Sequence, residues 1–183
     1  NASMWDSLHT IWRAADADPR CEAIVVPIPF AELTPEHTAK EWFVHTEHLP
    51  AEVPVVDYRT FDLAAIHPDV VYVHNPYDGY NRVTSVHPDF YSEALRPHCE
   101  LLVYVPYWVS AAPMEPHFDE HASFEIFDKV IYQSEELAAR AIGLWSSNKI
   151  VPLGSPKFDY ALTTGGPLPA DWAERMAGRT TLL

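Results

Sequence analysis

Apolar residues recur at helical spacing from the start of the chain. Met4, Trp5, Leu8, Ile11, Trp12 and Ala15 share a face, and Ser3 before them suits an N-cap. The pattern predicts a helix from the first residues to Asp18-Pro19, where proline stops it. Residues 23–27 form a short Val/Ile run closed by Pro27 and Pro29, which predicts a buried strand. Residues 30–58 follow neither period. Rich in Pro, His and Glu and longer than an ordinary connection, they predict a functional loop with one short strand near residues 42–44.

Beyond this loop the periods alternate. Residues 61–66 predict a short helix, and Val70-Val71-Tyr72-Val73 predicts a buried strand that runs into the turn-rich His74-Asn75-Pro76-Tyr77-Asp78-Gly79. A helix over 88–95, a strand over 101–105, the end of a helix over 123–127 and a strand over 129–133 follow. Ser134 caps a helix over 135–145, whose positive end suits Glu135 and Glu136, and residues 150–153 give the fifth strand. Strands that are apolar throughout, alternating with helices, predict an α/β domain: a Rossmann-like parallel sheet with helices on both faces. Gly165-Gly166-Pro167-Leu168-Pro169 reads as a linker, with a short helix over 171–176 beyond it. The expected organisation is one domain over 1–164, with 165–183 a linker and the start of a further domain. The chain opens on a helix cap where a doubly wound domain opens on a strand, and it closes on an apolar run, so it is expected to be one domain of a longer protein.

Charge removes a class of partner. Twelve Lys and Arg against 26 Asp and Glu give 12 − 26 = −14, a field that repels a polyanion, so no nucleic-acid partner is expected. Hydrophobic residues at 48% against 21% charged set aside intrinsic disorder. Cys21 and Cys99 lie in no CxxC or Cys/His array, which points to a reducing compartment without a disulfide framework. No run approaches the ~20 apolar residues of a membrane span, and the first residues lack a signal-peptide pattern. The expected location is cytoplasmic.

Ligands of open α/β sheets sit beyond the carboxyl ends of strands, and three such ends are chemically dense. His74, Asn75, Tyr77 and Asp78, continuing to Ser85 and His87, offer imidazoles, amides, a carboxylate and hydroxyls for polyol hydroxyls or phosphate oxygens. Turn chemistry alone accounts for Asn75, Pro76, Asp78 and Gly79 equally well. Tyr104 and Tyr107, with Trp108, could wall a sugar or base, or be ordinary aromatic core. Gly154-Ser155-Pro156-Lys157 could hold an anion on backbone N–H groups and a lysine, or simply end the domain. P-loop, GxGxxG, GxSxG and HExxH spacings are all absent. His117 and His121 are four apart, but a chain with ten histidines contains such a pair by chance, so no metal is expected.

Several of these segments together resemble bacterial CDP-glycerol glycerophosphotransferase-like proteins. They are Ser3-Met4-Trp5-Asp6-Ser7-Leu8, Val25-Val26-Pro27-Ile28-Pro29-Phe30, His74-Asn75-Pro76-Tyr77-Asp78 with Val83-Thr84-Ser85-Val86-His87-Pro88, and Leu102-Val103-Tyr104-Val105-Pro106-Tyr107. Gly154-Ser155-Pro156-Lys157-Phe158-Asp159 is similar to the Gly-x-Pro-Arg-x-Asp segment that closes the N-terminal half of those enzymes, with Lys157 in place of the arginine fork. The resemblance implies a GT-B architecture of two Rossmann-like domains facing a cleft. This chain would be the acceptor-side half, and a C-terminal half missing from it would bind the CDP-activated donor. His74, Asn75, Tyr77, Asp78 and Ser85 would then line the cleft, with His87 and Tyr107 as further substrate contacts and Gly154, Ser155 and Lys157 at the interdomain edge. The implied reaction transfers glycerol phosphate to a hydroxyl of a phosphorylated polyol or sugar acceptor, with His74 as base, CMP released and no cofactor. The isolated chain is expected to be inactive, and the parent to lie in the cytoplasm or against the inner membrane face, as teichoic-acid-type synthesis requires. Two other readings are a catalytically silent ligand-sensing or protein-interaction module, and a GT-B enzyme using a nucleotide sugar.

Overall fold

The computed structural model describes residues 2–110 and 121–163, together with residues 171, 172, 174, 177 and 178. The linker and tail expected over 165–169 and 179–183 lie outside the described residues, as does half of the helix expected over 171–176.

Six strands are present among these residues: β1 (Phe30–Glu32), β2 (Val70–Val73), β3 (Thr84–Val86), β4 (Leu101–Tyr104), β5 (Lys129–Tyr132) and β6 (Ile150–Pro152). Five α-helices accompany them: α1 (His9–Asp16), α2 (Leu63–Ile66), α3 (Ser92–Leu95), α4 (Glu135–Ala141) and α5 (Pro156–Thr163). Strands β2, β4, β5 and β6 form one parallel sheet in that spatial order, and β1 pairs antiparallel with β3 in a separate ribbon.

The continuous apolar runs of β4 and β5 are explained by burial on both faces. Leu102, Tyr104, Val130 and Tyr132 point to one face, where Leu95, Phe124, Phe127, Ala138 and Ala141 cover them. Val103, Val105 and Ile131 point to the other, against Leu8 and Ile11 at the start of α1. This alternation with period two puts helices on both faces of the sheet, as the sequence predicts. Each such side chain contributes roughly 1.5–3 kcal/mol when removed from water. Asp128, just before β5, ties the first layer together: its carboxylate accepts from the Leu102 amide (2.8 Å) and from Arg96 Nη2 (2.9 Å).

Several expected elements differ. The strand expected over 23–27 does not join the sheet: Val25 makes one parallel bridge, to Val55, with Val56 N–H donating to its carbonyl (2.9 Å). Pro27 and Pro29 lack the N–H groups that a ladder would need on that side. The opening helix is split, a 3-10 segment over Ala2–Ser7 preceding α1, so the expected cap Ser3 lies inside that segment and Leu8, at φ −122° and with no side-chain cap, takes the N-cap position of α1. The helix expected over 135–145 keeps its Ser134 cap, whose hydroxyl accepts from Leu137 N–H (3.2 Å), but it ends at Ala141. Ile142 is extended and Gly143 has φ +103°, which terminates the turn. Residues 88–95 divide into a 3-10 turn over Pro88–Phe90 and α3, because Tyr91 between them is extended. The short strand expected near 42–44 reduces to a bridge between Phe43 and Phe30. The sequence reading missed β1, β3 and α5 altogether. Among the described residues no helix is long and apolar enough to cross a membrane.

Candidate functional site at the carboxyl ends of the parallel strands

The 3-10 segment Ala2–Ser7 and α1 both pack on α5, which follows β6. Trp5, His9 and Trp12 form an aromatic seam there, with His9 edge-on to Tyr160 at 5.0 Å between ring centroids. Burial, with Arg13 adding, lowers the His9 pKa against an opposing pull from Glu52. The seam presents Asp6 and Ser7 to the residues that leave β2 and β6.

His74 directly follows β2. Ser7 Oγ donates to the Met4 carbonyl (2.7 Å), leaving its lone pairs to accept from His74 Nδ1–H (3.3 Å). This tautomer leaves the ring's basic lone pair on Nε2. Tyr107, beyond β4, sits 6.3 Å from the His74 ring in an edge arrangement. Burial, reinforced by the positive charge of Lys157, pushes the His74 pKa down to about 3. The imidazole is therefore neutral near pH 7, and as it stands it suits hydrogen bonding better than proton uptake.

Across the same ends, Gly154 and Ser155 follow β6. Gly154 has φ +98°, and a Cβ there would meet no atom within 4 Å, so its requirement is one of backbone conformation. Its N–H donates to the Tyr132 carbonyl (3.1 Å), fixing the turn into α5. Ser155 is 8% exposed, and its buried Oγ has no hydrogen-bond partner among the described residues. Lys157, in the first turn of α5, is ion-paired with Asp6 Oδ2. The other carboxylate oxygen, Asp6 Oδ1, is buried without a partner among the described residues. The cluster therefore offers a cation, a buried hydroxyl and the positive end of a helix beside an underused carboxylate oxygen and a neutral imidazole.

The other expected site residues have different contacts. Asn75 Oδ1 accepts from Tyr77 N–H (3.1 Å), closing a local turn. Asp78 has φ +42°, and its carboxylate accepts from Ser92 N–H (2.8 Å) at the start of α3. Burial raises its pKa, Glu93 adding to the effect and the Ser92 bonds opposing it. Ser85 Oγ donates to the Val86 carbonyl and accepts from Tyr91 OH, both at 2.8 Å. His87 Nδ1 accepts from Asp89 N–H (3.4 Å), while its ring lies 4.8 Å from Trp42. Of the expected site residues, His74, Tyr107, Gly154, Ser155 and Lys157 lie over the strand ends, Asp78 lines an open cleft of about 590 Å³ together with Tyr91, and Asn75, Tyr77, Ser85 and His87 belong to neither. Glu93 and Glu125 also line that cleft, making it acidic and poorly suited to phosphate. Of the histidine pair considered for metal, His117 lies outside the described residues. His121 Nδ1 accepts from Ser123 N–H (3.2 Å), and its ring is edge-on to Tyr80 at 4.6 Å.

Sequence reasoning gave no role to Asp6 or Ser7. The available signal was two polar residues breaking the apolar face of the first turns, but their partner, α5, had not been anticipated. The chain matches no protein-family model, no curated protein and no solved structure.

Proposed function

We propose that the chain is the acceptor-side domain of a GT-B-type, CDP-glycerol glycerophosphotransferase-like enzyme, and that its strand-end cluster binds a phosphorylated polyol or sugar. The observation that carries this reading is a pair of buried oxygens without a partner among the described residues: Ser155 Oγ, two positions before Lys157, and Asp6 Oδ1, on the carboxylate that pairs with Lys157. The first, at the head of α5, can donate to a phosphate oxygen; the second can only accept, as a hydroxyl requires. A polyol phosphate carries both kinds of group and is the simplest ligand of that chemistry.

In the reaction this implies, an acceptor hydroxyl attacks the glycerol-bearing phosphorus of the donor. The new O–P bond forms as the bond to CMP breaks, and the hydroxyl proton passes to His74. A phosphate beside Lys157 opposes the positive field at His74 and raises its basicity when substrate is present. The donor contacts belong to a second domain, and the parent enzyme works at the cytoplasmic side of the membrane, where CDP-activated donors are made.

The test is titration of the chain with glycerol 3-phosphate, glycerol and inorganic phosphate, followed by heteronuclear NMR. Tighter binding of glycerol 3-phosphate than of either fragment, weakened in Ser155→Ala and Lys157→Ala, supports the reading; equal binding of phosphate alone refutes the polyol assignment. In the parent enzyme, CMP release that survives His74→Ala removes the base role. A silent binding module is the second reading, favoured by the low basicity of His74 and the closed Lys157–Asp6 pair. It predicts binding without CMP release, and a nucleotide-sugar donor panel tests the remaining glycosyltransferase alternative.

A further inference from the structure

The loop between β1 and α2 carries a second concentration of chemistry that the strand-end cluster does not use. His45, Glu47 and His48 bring one ligand atom each to within 4.8 Å of one another. We propose that these three side chains bind a divalent transition-metal ion of the zinc type, with the remaining coordination positions open to water.

The donor set is the first argument. Two imidazoles and one carboxylate suit borderline ions such as Zn²⁺, whereas Mg²⁺ and Ca²⁺ favour sites built from oxygen alone. Three protein ligands leave a tetrahedral ion one position for water or a ligand oxygen. Geometry is the second argument. Donors about 2.0–2.1 Å from a tetrahedral ion stand about 3.3 Å apart, so the present spacing closes with side-chain rotations of roughly 1 Å.

The loop is also braced where the ligands need it. Phe30 and Phe43 exchange backbone hydrogen bonds of 2.9 and 2.8 Å, which fixes the segment leading to His45. The His45 ring is held edge-on to Phe30 at 4.8 Å and lies 5.6 Å from the His48 ring. Leu49 N–H donates to the Thr46 carbonyl (3.0 Å), closing the turn that returns Glu47 and His48 toward His45. Glu47 and His48 are exposed, so an ion reaches them directly from solvent. Because the brace includes β1, a bound ion would stiffen the irregular loop against the β1–β3 ribbon.

The experiment titrates the metal-free chain with zinc chloride by calorimetry and with cobalt(II) by visible absorption, which reports tetrahedral coordination. One zinc per chain is expected at micromolar affinity, with cobalt bands of tetrahedral intensity. His45→Ala and His48→Ala each weaken binding by at least about tenfold, and Glu47→Gln, which keeps the side-chain shape, weakens it too. The control pair His67→Ala and Glu100→Ala, which removes a separate His–carboxylate contact of 3.8 Å, leaves binding unchanged. Zinc is also expected to protect the loop from proteolysis in the parent sequence and not in His45→Ala/His48→Ala. Zinc binding that persists in that double variant, or wild-type binding no tighter than millimolar, overturns the site and leaves an exposed His–Glu contact.

Discussion

Replacing His74 by glutamine is expected to flatten the dependence of stability on acid. The pKa of His74 is 6.5 in an unperturbed chain and is pushed to about 3 in the folded protein by burial and Lys157. Below pH 6.5 the unfolded chain therefore binds a proton that the folded chain refuses, and stability falls as pH drops from 6.5 toward 3. Between pH 8 and pH 5 the full shift corresponds to about 2 kcal/mol of lost stability; the residue's partial exposure trims this to roughly 1–2 kcal/mol. Asp78 contributes with the opposite sign, since its raised pKa means that folding favours its protonated form, but that contribution is common to both proteins and cancels. The assay is urea denaturation of wild type and His74→Gln at pH 8 and pH 5. With a slope of about 2 kcal/mol per molar urea, the wild-type midpoint should fall by roughly 0.5–1 M more than that of the variant. Because the readout is a difference between two pH values, a variant that is less stable at both still reports it. Equal pH dependence in the two proteins refutes the claim that the folded state holds His74 neutral.

Three further outcomes follow from the packing. Phe127→Ala, at a side chain 1% exposed in the layer under α4, should cost about 3–5 kcal/mol and lower Tm by roughly 6–20 °C in a thermal melt. Asp128→Ala should cost about 1–3 kcal/mol by chemical denaturation, since it leaves the Leu102 amide and Arg96 without their acceptor. Gly154→Ala meets open space but must adopt φ +98°, so its cost of about 1–3 kcal/mol is conformational; a thermal melt indistinguishable from wild type would show that the turn relaxes freely.

The parallel sheet was legible because apolar runs such as Leu102-Val103-Tyr104 and Val130-Ile131-Tyr132 have only one economical way to bury both faces; Val70-Val71-Tyr72-Val73 reads the same way but is the edge strand, only partly buried and with Tyr72 exposed. The run at 23–27 has the same composition yet stays outside the sheet, because periodicity records apolarity and is blind to the donors that Pro27 and Pro29 remove. In α4 the end was less legible than the start, whereas α1, α2 and α3 end close to where the sequence predicts and begin later. Ser134 announces its cap, whereas the stop after Ala141 depends on Gly143 taking a positive φ, which composition permits without requiring. In the site, His74 and Lys157 stood out by chemical type. Their relation did not, since Asp6 and Ser7 reach them only through the packing of α1 on α5, and α5 opens on Pro156 behind a glycine turn that reads as a domain's end. The His45–Glu47–His48 cluster escaped because its spacing belongs to none of the familiar zinc motifs and becomes visible only when the turn at Thr46 folds it together.

The Asp6–Lys157 pair spans 151 positions of sequence. During synthesis the first helix leaves the ribosome with its tryptophans ready to pack and must wait for nearly the whole domain before α5 arrives to cover them. Until then Trp5 and Trp12 are adhesive surface, the kind that chaperones recognise and that aggregation exploits. The strand-end cluster thus forms only once α5 has been made, and binding of the kind proposed above waits on that step.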